Sequence, residues 1–442
     1  MKIQLSDHFT YKKLIRFTIP SIAMMVFTSI YGVVDGFFVS NFVGKIPFAA
    51  VNFIMPFNMI LSAIGFMFGT GGSALVAKTM GEGHLGKANR QFSLLVYVSI
   101  ISGIFLTIIS IIFIPQIASL LGAKGEMLNN CVQYSRIVLF GMTGFILQMV
   151  FSSFFVTAEK PQLGLFVTVA SGVANILLDA ILVGLLKQGL MGAAVATAIS
   201  QLIGGGAALA YFLSPNSSLL RLTKTNYDGK AILRACANGS SELMSNISMS
   251  VVGMLYNIQL IKYAGADGVA AYGVLMYVNL IFLAVFIGYS IGTAPIISYH
   301  FGAANHAELK NVMKKSIVII SIFSIGMFVS AELSARSLSA IFVGYDEDLL
   351  SITLRGFFIY SFSFLFAGAA IFGSSFFTAL NNALISATIS FLRTLVFEIM
   401  AVLLLPLLFG IDGIWYSIIF AEVMAFTVAI LFLIGQRKRY QY

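Results

Sequence analysis

The sequence predicts an all-α integral membrane protein with twelve transmembrane helices. They form two six-helix lobes related by a pseudo-two-fold axis along the membrane normal. Three observations carry that reading. Hydrophobic residues make up 59% of the 442 and charged ones only 10%, against about 45–50% and 25% in soluble domains. The apolar residues fall into long runs separated by charged or Gly/Asn/Pro-rich breaks. Pieces of the first half reappear in the second about 220 residues on.

Mean hydropathy is +0.96. The roughly 260 apolar residues suffice for about a dozen spans at about 20 each. That excludes a soluble enzyme, a secreted disulfide scaffold and a disordered chain. The spans are expected near 17–40, 47–76, 92–114, 132–156, 163–186 and 191–213, then 233–261, 270–298, 314–334, 352–379, 384–409 and 413–434. An even number of spans puts both termini on one side. Of the 26 Lys and Arg, 18 fall on that side, Lys2 among them, and five on the other: Lys45, Lys124, Lys187, Lys262 and Arg336. Positive loops stay inside, so both termini are expected in the cytoplasm of a multi-pass cell-membrane protein. The net charge of +9 is then topological and implies no nucleic acid. The basic N-terminus lacks a cleavage site and reads as a retained lead into the first span. Cys131 and Cys236 lie near opposite faces and have no metal spacing.

The longest interruption, 214–232, is polar and falls near mid-chain. It divides the chain into an N-terminal lobe (1–213), a cytoplasmic linker (214–232) and a C-terminal lobe (233–442). Ser152-Ser153-Phe154-Phe155 returns as Ser374-Ser375-Phe376-Phe377, and Gly189 and Gly192 as Gly410 and Gly413. Gly69-Thr70 returns as Gly292-Thr293, and Arg136 as Arg355. Six spans per half give both halves one orientation, the arrangement of transporters that rock two lobes around a central site. No filter-like segment suggests a channel.

Ionisable groups at mid-membrane cost about 2.5–3.5 kcal/mol on insertion scales, so they are functional candidates by default. Asp35, Asp179, Glu242, Glu398 and Glu422 lie well inside spans, with Arg393 the one deep cation. Asp35 follows Gly32 and has no basic residue within a turn. It is either packing glue or a group that exchanges a proton or binds a cation. Asn175 and Asp179 share a helix face at i, i+4, an oxygen set fit for a proton relay or for Na+. Thr197 sits on a small-residue helix, Gly192 to Ala198, and equally suits a bond to its own backbone. Glu242 opens a polar stripe with Ser245, Asn246 and Ser248, near the membrane face. Glu398 lies near the repeat equivalent of Asp179 and close to Arg393, a candidate partner although i, i+5 is poor geometry. Glu422 ranks last. Together, 41 Phe, 19 Met and 17 Tyr supply a deformable lining compatible with a hydrophobic, often cationic ligand.

His8, His84, His300 and His306 form no metal spacing, and no Gly-rich loop ends in Lys-Ser/Thr. The chain is expected to be neither an enzyme nor an ATPase. One charge crossing 100 mV yields about 2.3 kcal/mol, enough to drive a tenfold uphill gradient of about 1.4 kcal/mol.

Several pieces in order resemble one family. They are Ile19-Pro20, Asp35 ahead of Phe42-Val43-Gly44, Gly69-Thr70-Gly71 with Gly81 beyond, Asn175 with Asp179, and Gly189-Leu190-Met191-Gly192-Ala193-Ala194 leading to Thr197. The chain resembles the MATE (multidrug and toxic compound extrusion) transporters over nearly its whole length, and their DinF-like branch in particular. The resemblance implies an antiporter exporting amphiphilic or cationic organic compounds in exchange for H+ or Na+; the chain is expected to need no cofactor and to be a monomer. It places a cation site on Asp35, Asn175, Asp179 and Thr197, and makes Pro20 a bend-forming proline. The sequence departs from the pattern at Asn238-Gly239-Ser240-Ser241-Glu242, where many relatives carry a Gly-Ile-Pro type turn. Glu242, Asn246, Glu398 and Arg393 stand as second-lobe candidates. The alternatives are a flippase of a lipid-linked precursor and a membrane receptor or scaffold.

Overall fold

The computed structural model describes residues 3–344 and 346–442, without the side chains of Lys45 and Ala266. Lys2 and the Lys45 side chain, both counted in the charge asymmetry, lie outside these described residues. The first half comprises α1 (Tyr11–Phe38), α2 (Lys45–Gly81), α3 (Leu85–Leu121), α4 (Gly125–Thr157), α5 (Pro161–Asp179) and α6 (Gly189–Leu213). The second comprises α7 (Gly229–Gly302), α8 (His306–Val343), α9 (Glu347–Ser361), α10 (Phe364–Ala379), α11 (Ala383–Phe391), α12 (Glu398–Phe409) and α13 (Ile411–Tyr440). Short polar residues begin several of them. Asp228 accepts from the Ala231 amide at 3.0 Å, Asn305 from Glu308 at 3.1 Å and Asp346 from Leu349 at 3.0 Å, each satisfying an orphan donor of the first turn.

Among the described residues ten helices are long and apolar enough to cross a membrane, or eleven when α9 and α10, bent by 50°, count as one passage. Twelve spans are expected from the sequence, but among the described residues the first part of α7 does not meet that measure. At 74 residues α7 is two helices joined at Gly265, whose φ of 64° and ψ of −150° are not helical. Its first part carries the stripe through Glu242, Ser245, Asn246 and Ser248, which lowers its hydropathy below that of a plain apolar span. Helix α7 also begins at Gly229, inside the stretch expected to be linker, because Asp228 caps it. The Gly265 conformation is one that essentially only glycine adopts. Gly265→Ala is expected to cost about 1–3 kcal/mol, read as a lower midpoint of thermal unfolding in detergent.

The repeat extends to the backbone. Residues with positive φ recur as Gly83 and Ala304, as Glu159 and Asn381, and as Gly189 and Gly410, at offsets of 221, 222 and 221. The fifth passage runs from α5 into a π-helical turn at Ala180–Leu185, and its counterpart runs from α11 into one at Leu392–Phe397.

The halves meet most closely at the end that carries both termini. A Cβ on Gly71 would strike the backbone of Ala235 and Gly239, and one on Gly239 the backbone of Met67. A Cβ on Gly81 would strike Tyr299, and one on Gly302 would strike Lys78. These glycines let α2 and α7 touch backbone to backbone, as small residues do where membrane helices cross closely. Helix α1 docks on the same α7, with Thr18 against Gly292 and Ser21 and Ile22 against Gly288. Outside the bundle, the segment before α1 bridges both halves. The Leu5 amide donates to Glu159 at 2.8 Å and the Phe9 amide to Glu308 at 2.8 Å. His8 Nδ1 lies 2.6 Å from the other Glu308 oxygen, and Asn311 donates to the Phe9 carbonyl at 2.9 Å.

Candidate cation site

Three helices of the first half bring the site together. Asp35 stands near the end of α1, four residues before a π-helical turn at Val39–Val43. Asp179 is the last α-helical residue of α5, directly before the π-helical turn at Ala180–Leu185. Such turns add a residue to the helical repeat and are common at functional sites. Thr197 lies on α6, where Ala193, Ala194, Ala196 and Ala198 leave room for close approach.

Asp179 is fully buried and Asn175 is 2% exposed. The Asp35 carboxyl contacts the side chains of Asp179, Thr197 and Asn175, with Thr197 Oγ1 3.4 Å from Asp35 Oδ1. The Thr197 hydroxyl is also 3.0 Å from the Ala193 carbonyl, so its single proton chooses between its own backbone and Asp35. Neither Asp179 oxygen nor Asn175 Oδ1 accepts a hydrogen bond from any donor among the described residues. Two carboxylates in contact repel unless a proton or a cation lies between them. Among the described residues no lysine or arginine is one of the groups that act on either carboxyl.

Two tyrosines that sequence reasoning did not single out complete the surroundings. Tyr31, one turn before Asp35 on α1, and Tyr134 of α4 both lie within electrostatic reach of Asp35, and Tyr134 contacts Thr197. The ring of Tyr31 packs against Gly172, where a Cβ would come within 2.9 Å of it. Nothing in the chain's composition separates these two rings from 15 other tyrosines.

The second half is arranged differently. Arg393, inside the π-helical turn at Leu392–Phe397, does not take Glu398 as its partner. It grips Glu422 of α13 with Nε and Nη2 at 2.6–3.1 Å, and the two side chains are 14% and 3% exposed. Glu422 faces Arg393 from the neighbouring helix, whereas Glu398, five residues along the same chain, makes no ion pair with it among the described residues. Glu398 and Glu242 are both close enough to feel the Arg393 charge. The stacked rings of Tyr256 and Tyr272, 4.9 Å apart, lie near Glu398. The Asn246 amide donates to its own helix, to the Glu242 carbonyl at 2.8 Å, and so is not joined to the acids. Glu332, which the expected span left near its end, lies well inside α8 and accepts from Ser361 of α9.

Removing one partner of a buried ion pair leaves the other charge uncompensated. Arg393→Ala or Glu422→Ala is expected to cost about 3–5 kcal/mol. The double replacement Arg393→Met with Glu422→Leu is expected to recover most of that loss in thermal unfolding.

A helical bundle of two like halves, with acids buried between the helices of each, is the architecture of a two-lobed membrane transporter. The MatE family model matches residues 20–181 and 243–404, one stretch in each half. The chain belongs to the MATE family, and like the family it is a transporter rather than an enzyme. It is 27% identical to multidrug export protein MepA of Staphylococcus haemolyticus over 437 residues, which cover 97% of this chain and 94% of that one. It is 24% identical to MepA of Staphylococcus aureus, again over 97% and 94%. Its fold is similar to a solved structure described as the outward-facing conformation of a multidrug resistance MATE family transporter, with a TM-score of 0.92 at 21% identity, covering 98% and 97% of the two chains.

Proposed function

We propose that the chain exports amphiphilic or cationic organic compounds by alternating access, in exchange for H+ or Na+ bound between Asp35 and Asp179. The single observation that carries this is the contact of a half-buried carboxyl, Asp35, with a fully buried one, Asp179, on different helices, with no lysine or arginine beside them among the described residues. Asn175 and Thr197 supply the remaining oxygens, and the inward ion is cargo of the cycle rather than a resident cofactor. The MepA relatives, named as multidrug export proteins, support the substrate class.

On this reading residues 1–213 and 233–442 are the two moving lobes, with 214–232 between them. The termini face the cytoplasm of the cell membrane, as the basic loops favour, and the chain works as a monomer. The close α2–α7 seam is then the closed cytoplasmic gate. A lipid-linked anionic substrate is disfavoured because the deep Arg393 is already neutralised by Glu422. Glu242 and Glu398 remain candidates for a second ion position. The test is dye efflux from cells expressing the wild type, with the proton gradient collapsed and, separately, with Na+ removed. Loss of efflux in one condition names the ion, and dye retention equal to that of cells without the protein removes multidrug export.

A further inference from the structure

We infer that the groove between α3 and the linker holds one anionic phospholipid of the leaflet at the terminal end. The groove has a volume of about 500 Å³ and is lined almost wholly by apolar groups, among them Leu94, Tyr97, Ile101 and Phe105 of α3, Tyr227 of the linker and Ile232 of α7. Along α3, Lys87, Arg90, Leu94, Tyr97, Ile101 and Phe105 recur at three- and four-residue steps, so they form one stripe. The stripe is basic at its start and apolar beyond. From Arg90 to Phe105 it runs about 22 Å at 1.5 Å per residue, more than half of a hydrocarbon core roughly 30 Å thick. A charged head followed by a long apolar slot is the shape of a phospholipid.

The linker closes the other wall and adds charge. It is stitched to α3 by the Arg221 amide on Asn89 at 3.0 Å, the Thr223 amide on Ser93 at 2.8 Å and the Thr225 hydroxyl on the Arg90 carbonyl at 3.0 Å. Those bonds set exposed Arg221 and Lys224 beside exposed Arg90. Between 83 and 105 there is no acid, and between 214 and 234 the one acid is Asp228, whose side chain is taken by the Ala231 amide. Glu82 is engaged by Lys78 at 3.8 Å. Among the described residues none of Arg90, Arg221 and Lys224 is in an ion pair, and a phosphodiester is the complement they lack. Tyr227, 84% exposed, stands at the rim where an aromatic meets the headgroup layer. The occupant ties the first half's α3 to the chain that leads into the second half.

Native mass spectrometry of the full chain in detergent, offered phosphatidylglycerol and phosphatidylcholine of identical acyl chains, tests the site. The wild type should retain phosphatidylglycerol in preference. Arg90→Gln with Lys224→Gln should lower that preference by about fivefold for each charge removed. Ile101→Trp, at a position 68% exposed and so tolerant of a large ring, should lower retention of both lipids by filling the slot. Equal retention of the two lipids by the wild type would overturn the inference. So would an undiminished preference in the Arg90/Lys224 variant, or undiminished retention in the Ile101 variant. None of these readouts depends on efflux, so the inference and the proposed antiport stand or fall separately.

Discussion

Asp179→Asn and Asp35→Asn should each reduce dye efflux to that of cells lacking the protein, with membrane levels unchanged. Each replacement keeps the shape of the side chain and removes the charge that recruits the ion. The driving force forfeited per ion, about 2.3 kcal/mol for each 100 mV, corresponds to an accumulation ratio of about 40-fold. The double variant should be no worse than either single one, because the two carboxyls act as one unit. Thermal stability separates this role from a structural one. The pair is a site of repulsion between like charges, one of them fully buried, so neutralising one member should leave the unfolding midpoint unchanged or raised. A clear fall in midpoint in both variants, alongside lost efflux, would instead make the pair a packing element.

The second large effect is expected at the α2–α7 seam. Gly81→Leu and Gly239→Leu place a side chain where the opposite backbone now lies, and backbone cannot move aside as a side-chain end can. The seam must open or the helices must part, so both variants should lose transport while still reaching the membrane. Cys236 reports this directly. It is half-buried on α7 next to Ala235, while the chain's other thiol, Cys131, is buried in α4. A polar maleimide should label Cys236 about tenfold faster in Gly81→Leu than in the wild type, a shift of about 1.4 kcal/mol toward the open seam. Gly86→Leu, at a position with nothing within 4 Å of the added Cβ, is the control and should label at the wild-type rate. Equal labelling of all three would show that the seam does not gate access.

What the sequence disclosed follows from which signals are local. Long apolar runs and the charge asymmetry between loops are summed over many residues, so the helical class and most span positions could be read directly. Asp35, Asn175 and Asp179 stand out because each is polar in an apolar run. Thr197 does not, since a threonine in a helix equally satisfies itself on its own backbone, and only the family resemblance tips that even choice toward the site. The partner of Arg393 is 29 residues away on another helix, where no periodicity rule reaches, so Glu422 was ranked last. Tyr31 and Tyr134 are hidden among like residues. The π-helical turns after Asp35 and Asp179 have no side-chain signature, because they are imposed by packing. Gly265 sits in the expected gap between two spans, but its conformation, which bends one continuous helical run, is a matter of tertiary fit.

The segment before α1 has a meaning beyond anchoring. It belongs to neither helical bundle, yet its backbone amides hold Glu159 at one side and Glu308 at the other. Hydrogen bonds to charged acceptors contribute about 1.5–3 kcal/mol each. On the proposed alternating-access cycle, any movement that parts the two halves at this end has to break both bonds first.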